Sequence, residues 1–320
     1  MSDHASTADL STDDLVKGVI DWISIESPSS DATAVNKMVD HIEAEFKSVG
    51  LEVERTPGED GYGDLIRGRA QGSSRANKGI LVVSHIDTVH PIGTSTSSNP
   101  IRIEGDNLYG PGTYDMKAGA YIAFYAYKQL LAAGGDPDLP VTFMYIPEEE
   151  VGSPYSRKYI AEEARRAKYV LVTEPARDGG KIVVQRKGSA RFKLSATGRA
   201  AHSGSKHEYG RSAVLEMAKQ ICDIEALTEY DRGITFNCGL ISGGTGVNVV
   251  PQSCVMELDH RYIRKADGEE MAKHILALKA HNPDVTLEIT GGISRPPMEL
   301  TDGIMDLFNK ARAFSLEHGL

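Results

Sequence analysis

The chain has 320 residues, a formal net charge of −10, 40% hydrophobic residues and 25% charged residues. Such a composition belongs to an ordinary globular protein of about two domains and excludes collagen-like repetition and wholesale disorder, while the acidic balance argues against nucleic acid as a partner. The longest apolar runs, Gly79 to Ser84 and Val141 to Ile146, fall far short of the ~20 residues that a membrane span needs.

The stretch Met1 to Leu15 is polar and acidic and lacks the basic patch and apolar core of a secretory signal, so a cytoplasmic location is expected. Apolar residues at three- and four-residue steps predict helices at Thr12 to Ile25 and at Ala32 to Val49, the second carrying Val35, Met38, Val39, Ile42 and Phe46 on one face. Short β-branched runs then alternate with helices: strand Gly79 to Ser84, helix Met116 to Ala133, strand Val141 to Ile146, helix Pro154 to Arg166 and strand Tyr169 to Thr173. That alternation predicts an α/β layer, a mixed, largely parallel sheet whose strands are apolar on both sides because helices cover both faces. Ligands of such sheets gather beyond the strand C-termini.

After Pro175 the texture changes. Ala176 to Lys181 reads as a polar, glycine-containing linker, and the later strands are longer and alternate in polarity. The order strand (Ala190 to Thr197), helix (Arg211 to Leu227), strands (Thr235 to Ser242 and Ser253 to Ile263), helix (Gly268 to Ala280) and strand (Val285 to Thr290) predicts an inserted α+β domain of split βαβ form. Thr301 to Glu317 reads as a helix with which the chain returns to the first domain. The expected division is therefore residues 1–184 with 298–320 as one domain and 185–297 as the other. Cys222, Cys238 and Cys254 have no CxxC spacing and sit in apolar contexts, as reduced packing thiols do.

Acidic and histidine clusters fall where strands of the first domain end. In Ser84-His85-Ile86-Asp87-Thr88 the histidine and aspartate are two apart, so on an extended segment they point the same way, and the carboxylate could orient a metal-bound imidazole. Alone, the triplet also reads as a hydrogen-bonded loop. Gly110-Pro111-Gly112-Thr113-Tyr114-Asp115 delivers Asp115 to the start of a long apolar helix, where it equally reads as an N-cap. Glu148-Glu149-Glu150 directly follows a buried strand, and three adjacent anions there repel one another unless a cation compensates; the bland reading is a solvated loop. Glu174 ends the strand Tyr169 to Val172 and by itself reads as a surface carboxylate. Taken jointly, His85, Asp115, Glu150 and Glu174 form a nitrogen and oxygen donor set suited to zinc, cobalt or manganese.

Through SHIDTV, GPGTYDMKAG, EEEVGS, TEP, GRAAHSG and GGTGVNVVP, in that order from about residue 10 onward, the chain resembles the two-zinc peptidases and deacylases that include carboxypeptidase G, aminoacylase, acetylornithine deacetylase and succinyl-diaminopimelate desuccinylase. The resemblance implies a zinc exopeptidase-like catalytic domain carrying a lid and dimerisation domain. It implies two zinc ions per chain in the full-length protein, with Asp115 bridging them, His85 and Glu174 completing one set of ligands and Glu150 binding the other ion. Glu149 would be the general base, Asp87 the support of His85, and Glu148 would stay outside the metal shell. Paired cations of this kind acidify a shared water and polarise a carbonyl, so a metal-activated water is the expected nucleophile. His202 would reach from the lid of one subunit of a homodimer into the partner's site to stabilise the oxyanion. Asn248, Arg261 and Arg295 would contact substrate, the two arginines receiving a carboxylate.

Family members place one more zinc-ligating histidine well beyond the point at which this chain ends, and His318 stands in the wrong context to replace it. A C-terminally truncated chain is therefore expected, with one protein ligand fewer for the Glu150 zinc, an exposed sheet edge, weakened metal retention and little activity. The expected reaction is hydrolysis of an amide next to a free carboxylate, as in a glutamate carboxypeptidase-like exopeptidase acting on a small peptide or N-acyl amino acid. The alternatives are an N-acyl amino-acid deacylase with the same metal motifs, or an inactive relative that binds peptides or assembles through its lid.

Overall fold

The computed structural model describes residues 11–70, 78–135, 137, 139–177 and 179–319. The N-terminal residues through 10 and the chain end at Leu320, on which two of the expectations above bear, lie outside the described residues. Two compact units emerge, Met1–Ala176 and Arg177–Leu320.

The first unit contains α1 (Thr12–Ser24), α2 (Ala32–Ser48), β1 (Glu52–Thr56), β2 (Leu65–Arg69), β3 (Ile80–His85), the small hairpin of β4 (Arg102–Glu104) and β5 (Asn107–Tyr109), α3 (Ala118–Ala132), β6 (Val141–Ile146), α4 (Arg157–Arg166) and β7 (Tyr169–Val172). Five of the strands form one mixed sheet in the order β1-β2-β6-β3-β7. β6, β3 and β7 run parallel, whereas β2 pairs antiparallel with both β6 and β1. Side chains alternate across a strand, and here both sides are apolar. Phe143 and Tyr145 of β6 join Trp22, Phe46 and Phe124 beneath α1, α2 and α3. Met144 and Ile146 pack with Leu81, Val83 and Tyr155 on the α4 side. Edge-to-face ring pairs such as Trp22 with Tyr145, 5.7 Å between centroids, tie the helices to the sheet. Ser11 and Asp31 cap α1 and α2 by accepting from the amides of Asp14 and Ala34. At the sheet edge, β7 leaves Val170, Leu171 and Val172 exposed.

The second unit contains β8 (Gly188–Thr197), α5 (Ala213–Glu225), β9 (Thr235–Gly243), β10 (Ser253–Tyr262), α6 (Lys265–Leu276), β11 (Thr286–Arg295) and α7 (Asp302–Glu317). Its four strands are antiparallel in the order β11-β8-β10-β9, the arrangement of a split βαβ fold. Phe192, Leu194, Met256 and Leu258 face Met217 and Ile224 of α5 and Met271 and Ile275 of α6. The opposite face carries the exposed Arg191, Lys193 and Glu257. Arg186 and Met298 exchange backbone hydrogen bonds of 3.0 and 2.9 Å, so the chain enters and leaves this sheet side by side. α7 buries none of its side chains. No helix among the described residues is long and apolar enough to cross a membrane.

A buried titratable group lies in the second core. His260 of β10 is fully buried, stacked 4.2 Å from Phe236 and 5.2 Å from Tyr262 between ring centroids, with Nδ1 3.2 Å from the Thr235 carbonyl and no partner for Nε2. Burial, with a smaller contribution from Lys187, pushes its pKa below the ordinary 6.5 against the opposing effects of Thr235 and Asp259. The unfolded chain therefore binds a proton that the folded chain refuses as pH falls below 6.5, and stability is lost in that direction. Denaturant unfolding of the wild type and His260→Phe at pH 5 and pH 7 is expected to show a smaller loss between the two pH values for the variant. Equal losses would mean that His260 does not contribute.

Candidate metal centre

Because β6, β3 and β7 are parallel, their C-termini fall at the same end of the sheet, and polar residues end each strand or follow within two residues. β3 ends on His85, which is 1% exposed, and the following turn carries Asp87, which is fully buried. β6 leads into Glu148 and a single helical turn over Glu149–Val151. β7 leads into Thr173 and Glu174. The fourth contributor is the Gly110–Asp115 loop, which needs a glycine at 112: its φ is +70°, and a Cβ there would lie 2.7 Å from Thr88 Cγ2. Gly119 has a different reason, since a Cβ on it would meet the Thr173 carbonyl at 2.1 Å. That close approach brings the first turn of α3 directly onto the segment carrying Glu174.

His85 sits at the centre. Its Nε2 is 2.9 Å from Asp115 Oδ1 and 3.9 Å from Glu174 Oε1, and its Nδ1 is 3.0 Å from the Asp87 carbonyl and 3.3 Å from Asp87 Oδ1. Asp115 has extended backbone angles (φ −119°, ψ 100°) and α3 starts only at Ala118, so its carboxylate faces the imidazole instead of capping the helix. The donor atoms of His85, Asp115 and Glu150 lie within 4.8 Å of one another, as do those of His85, Glu149 and Glu174.

Glu148 is turned away. It is fully buried and accepts from the amides of Tyr155 (3.1 Å) and Ser156 (2.6 Å) at the start of α4. Burial raises its pKa against those two hydrogen bonds.

The electrostatics match a cation site. Burial acts to lower the pKa of His85, but the hydrogen bonds of Asp87 and Asp115 and the charge of Glu174 outweigh it and raise the imidazole to about 9. Glu150 is pushed up by burial and by the repulsion of Asp115, Asp87 and Glu149, with His85 opposing. A proton on His85 thus supplies some of the positive charge that these carboxylates require. One imidazole with several carboxylate oxygens inside 4.8 Å is a donor set that fits zinc or a similar transition ion better than an all-oxygen calcium cage.

Residues that motif reading did not single out hold this arrangement. The Asp87 carboxylate accepts from Ser29 Oγ (2.6 Å) and from the amides of Glu149 (3.1 Å) and Glu150 (3.2 Å). Lys117, 1% exposed, donates through Nζ to the Ile25 carbonyl at 2.6 Å. Burial lowers its pKa to about 7 despite the charges of Asp87 and Glu26. The one available signal for Lys117 was its place in the Asp115-Met116-Lys117 run. Ser29 lay in a polar turn ahead of a helix cap.

The candidate residues of the second unit form two groups. His202 and Val249 pair as an isolated bridge, and the Ser203 amide donates to the Asn248 carbonyl at 3.0 Å, so His202 and Asn248 lie on adjoining segments. His202 Nδ1 accepts from the amides of Gly204 (3.1 Å) and Ser205 (3.2 Å), which leaves the ring proton on an exposed Nε2. Arg261 of β10 and Arg295 of β11 flank Ser189 of β8 in register, with Arg261 Nε donating to Asp259 Oδ2 at 2.7 Å.

A cleft of about 820 Å³ in the first unit lies at the other end of the strands, lined by Arg67, Arg69, Ile80, Thr142 and Glu163. Its charges serve one another, with Arg69 Nη2 2.6 Å from Glu163 Oε1 and Arg67 Nη1 2.9 Å from Glu54. The strand C-termini, where several carboxylates meet one buried imidazole, are therefore the candidate site.

Comparison with known proteins gives the family of the chain. Residues 184–290 match the model of the M20 peptidase dimerisation domain, and residues 66–236 match that of peptidase family M28. The two matches overlap; the first strand of the second sheet begins at Gly188, which favours the dimerisation model for the shared stretch. Carboxypeptidase G2 from Pseudomonas sp. is 31% identical over 311 residues, covering 95% of this chain and 74% of that protein. A probable carboxypeptidase from Arthroderma otae is 28% identical, covering 92% of this chain and 71% of that one. The fold is that of aminopeptidase PepT from Bacillus cereus, with a TM-score of 0.77 at 23% identity over 92% of this chain and 79% of the other. With its charged strand ends and its split βαβ second unit, the chain belongs to the metallopeptidase family of carboxypeptidase G2, the M20-type peptidases with a dimerisation domain, and is a metallo-hydrolase acting on amide bonds.

Proposed function

We propose that this protein hydrolyses an amide bond next to a free carboxylate, as a glutamate carboxypeptidase-like exopeptidase, using two zinc ions per chain held by His85, Asp115, Glu150 and Glu174. The observation that carries this reading is the convergence of those donors with Glu149 around one buried imidazole. When bound, the ions polarise the scissile carbonyl and acidify a water. Glu149 takes the water's proton and returns it to the leaving nitrogen. Asp87 holds His85 and, through the amides of Glu149 and Glu150, keeps base and ligand in fixed relation. His202 offers its Nε2 proton to the oxygen on which charge develops. Arg261 and Arg295, on either side of Ser189, receive the substrate carboxylate, and Asn248, on the segment beside His202, contacts the substrate.

Residues 1–184 with 298–320 make up the catalytic domain in this reading, and 185–297 the lid through which two subunits pair. The side-by-side entry and exit at Arg186 and Met298 and the dimerisation-domain match at 184–290 support it. Cys222, Cys238 and Cys254 are all free, as suits the cytoplasm.

Metal analysis of the purified protein is expected to find about two zinc per chain. Glu149→Gln should keep the metal while lowering kcat by about 10²–10⁴-fold; loss of metal instead would make Glu149 a ligand. Peptidyl and N-acyl glutamates should be cleaved faster than acetylornithine or succinyl-diaminopimelate. The reverse preference would move the chain to the deacylases, and cleavage of none would sink the hydrolytic reading.

Metal uptake should also depend on pH. With its pKa raised to about 9, His85 carries a proton at pH 7 in the metal-free protein and gives it up on becoming a ligand. Zinc binding is thus expected to release a proton at pH 7 and to tighten by up to about tenfold per unit of rising pH until pH 9. Calorimetry in buffers of different ionisation enthalpy measures this directly, and heats independent of buffer would refute it.

A further inference from the structure

The segment between α1 and α2 is hydrogen-bonded along most of its length to Lys117 and to the chain that follows β3. The Ile25 carbonyl accepts from Lys117 Nζ, and the Glu26 carboxylate takes the amides of Gly93 (2.6 Å) and Ser95 (2.7 Å). Ser27 Oγ donates to the Ile86 carbonyl at 2.6 Å, and the Ser27 carbonyl accepts from the Thr88 amide at 2.9 Å. The Ser29 amide donates to the Thr88 carbonyl at 3.2 Å, and the Asp31 amide closes the turn onto Pro28 at 2.9 Å. Residues 25 to 31 thus form a strap laid along the loop that carries Asp87.

Within the strap Ser29 differs in what it touches. Ser27 serves a backbone carbonyl, whereas the Ser29 hydroxyl, 3.5 Å from the Thr88 carbonyl, donates at 2.6 Å to Asp87 Oδ2, the shortest contact this carboxylate makes. Asp87 is fully buried and Ser29 is 6% exposed. A carboxylate offers about four lone-pair positions, and here they face His85 Nδ1, the Glu149 amide, the Glu150 amide and Ser29. The first three belong to the metal centre itself, so Ser29 is the anchor from outside that selects the orientation of the carboxylate.

We infer that Ser29 is a positioning residue for the metal centre: through Asp87 it sets the imidazole of His85 and the relative placement of Glu149 and Glu150. The inference rests on the metal reading of the site and extends it to a residue outside the ligand motifs. Partners behind a metal ligand typically govern its affinity by 10–100-fold.

Cobalt titration of the protein, followed by visible absorption and by competition with a chromophoric chelator, tests it without any substrate. Ser29→Ala is expected to weaken cobalt binding by about 10–100-fold and to change the cobalt spectrum. Ser29→Thr, which keeps the hydroxyl, should stay within about threefold of wild type, and its isostere Ser29→Val should behave as Ser29→Ala, a comparison that holds even if the alanine variant folds poorly. If Ser29 acts through Asp87, the Ser29→Ala/Asp87→Asn double variant binds no more weakly than Asp87→Asn alone. Wild-type affinity and spectrum in Ser29→Ala and Ser29→Val, whatever their melting temperatures, would reduce Ser29 to a structural role and overturn the inference, as would simple additivity with Asp87→Asn. A wild-type protein that takes up no cobalt overturns it together with the metal reading. Cobalt binding that depends on Ser29 in a protein that cleaves no amide leaves the inference standing and removes only the proposed substrate chemistry.

Discussion

Like charge concentrated at the C-terminal ends of β6, β3 and β7 is the constraint around which the first unit is arranged. Two like unit charges about 4 Å apart repel by about 4 kcal/mol at an effective dielectric of about 20, against a total domain stability of only ~5–15 kcal/mol. Asp87, Asp115, Glu149, Glu150 and Glu174 crowd around one imidazole, and the imidazole responds by holding its proton to about pH 9. The fold reaches this concentration by giving individual anions hydrogen-bond donors. Asp87 has two amides and a hydroxyl, and Glu148 has the amides of Tyr155 and Ser156 just ahead of α4. Asp115, Glu149, Glu150 and Glu174 bring carboxylate oxygens close to His85, more negative charge than one imidazole balances, which is why the donor set reads as a place for a divalent ion and not as a self-contained salt-bridge network. The Arg67, Arg69 and Glu163 cluster at the opposite end of the sheet shows the contrast, since there arginines already balance the acids.

Much of this was legible in the sequence because short apolar runs mark strands, whether buried as in β6 or left at the sheet edge as in β7. Val141 to Ile146 and Tyr169 to Val172 are apolar runs too short for helices, and they became β6 and β7. β1 and β2 were not recognised: Glu52, Glu54, Arg55, Arg67 and Arg69 break the hydrophobic rhythm, and only pairing in three dimensions makes them acceptable. Arg67, 3% exposed, is taken up by Glu54 and Thr56. β11 was expected to stop at Thr290 but continues to Arg295 through two glycines, because its ladder with β8 runs on to Ser189. α3 begins two residues later than its apolar pattern implied, since Asp115 and Met116 keep non-helical angles that turn the carboxylate toward His85.

The site residues separate in the same way. Those with distinctive chemistry at a strand end, His85, Asp115, Glu150 and Glu174, stood out by type and position. Ser29 and Lys117 did not, because a serine in a turn and a lysine near a helix start are common, and their significance comes from contacts with residues 58 and 92 positions away. Local patterns cannot encode contacts of that range.

In the second unit, the Gly204 and Ser205 amides occupy one nitrogen of His202 and confine the hydrogen to the other. In its neutral form the ring therefore presents a single chemical sense to whatever approaches its exposed edge: it can give a hydrogen and has no free lone pair with which to receive one. A group offering oxygen is the complement of that edge and one offering only N–H is not, so this short turn fixes the hydrogen-bonding polarity of the ring.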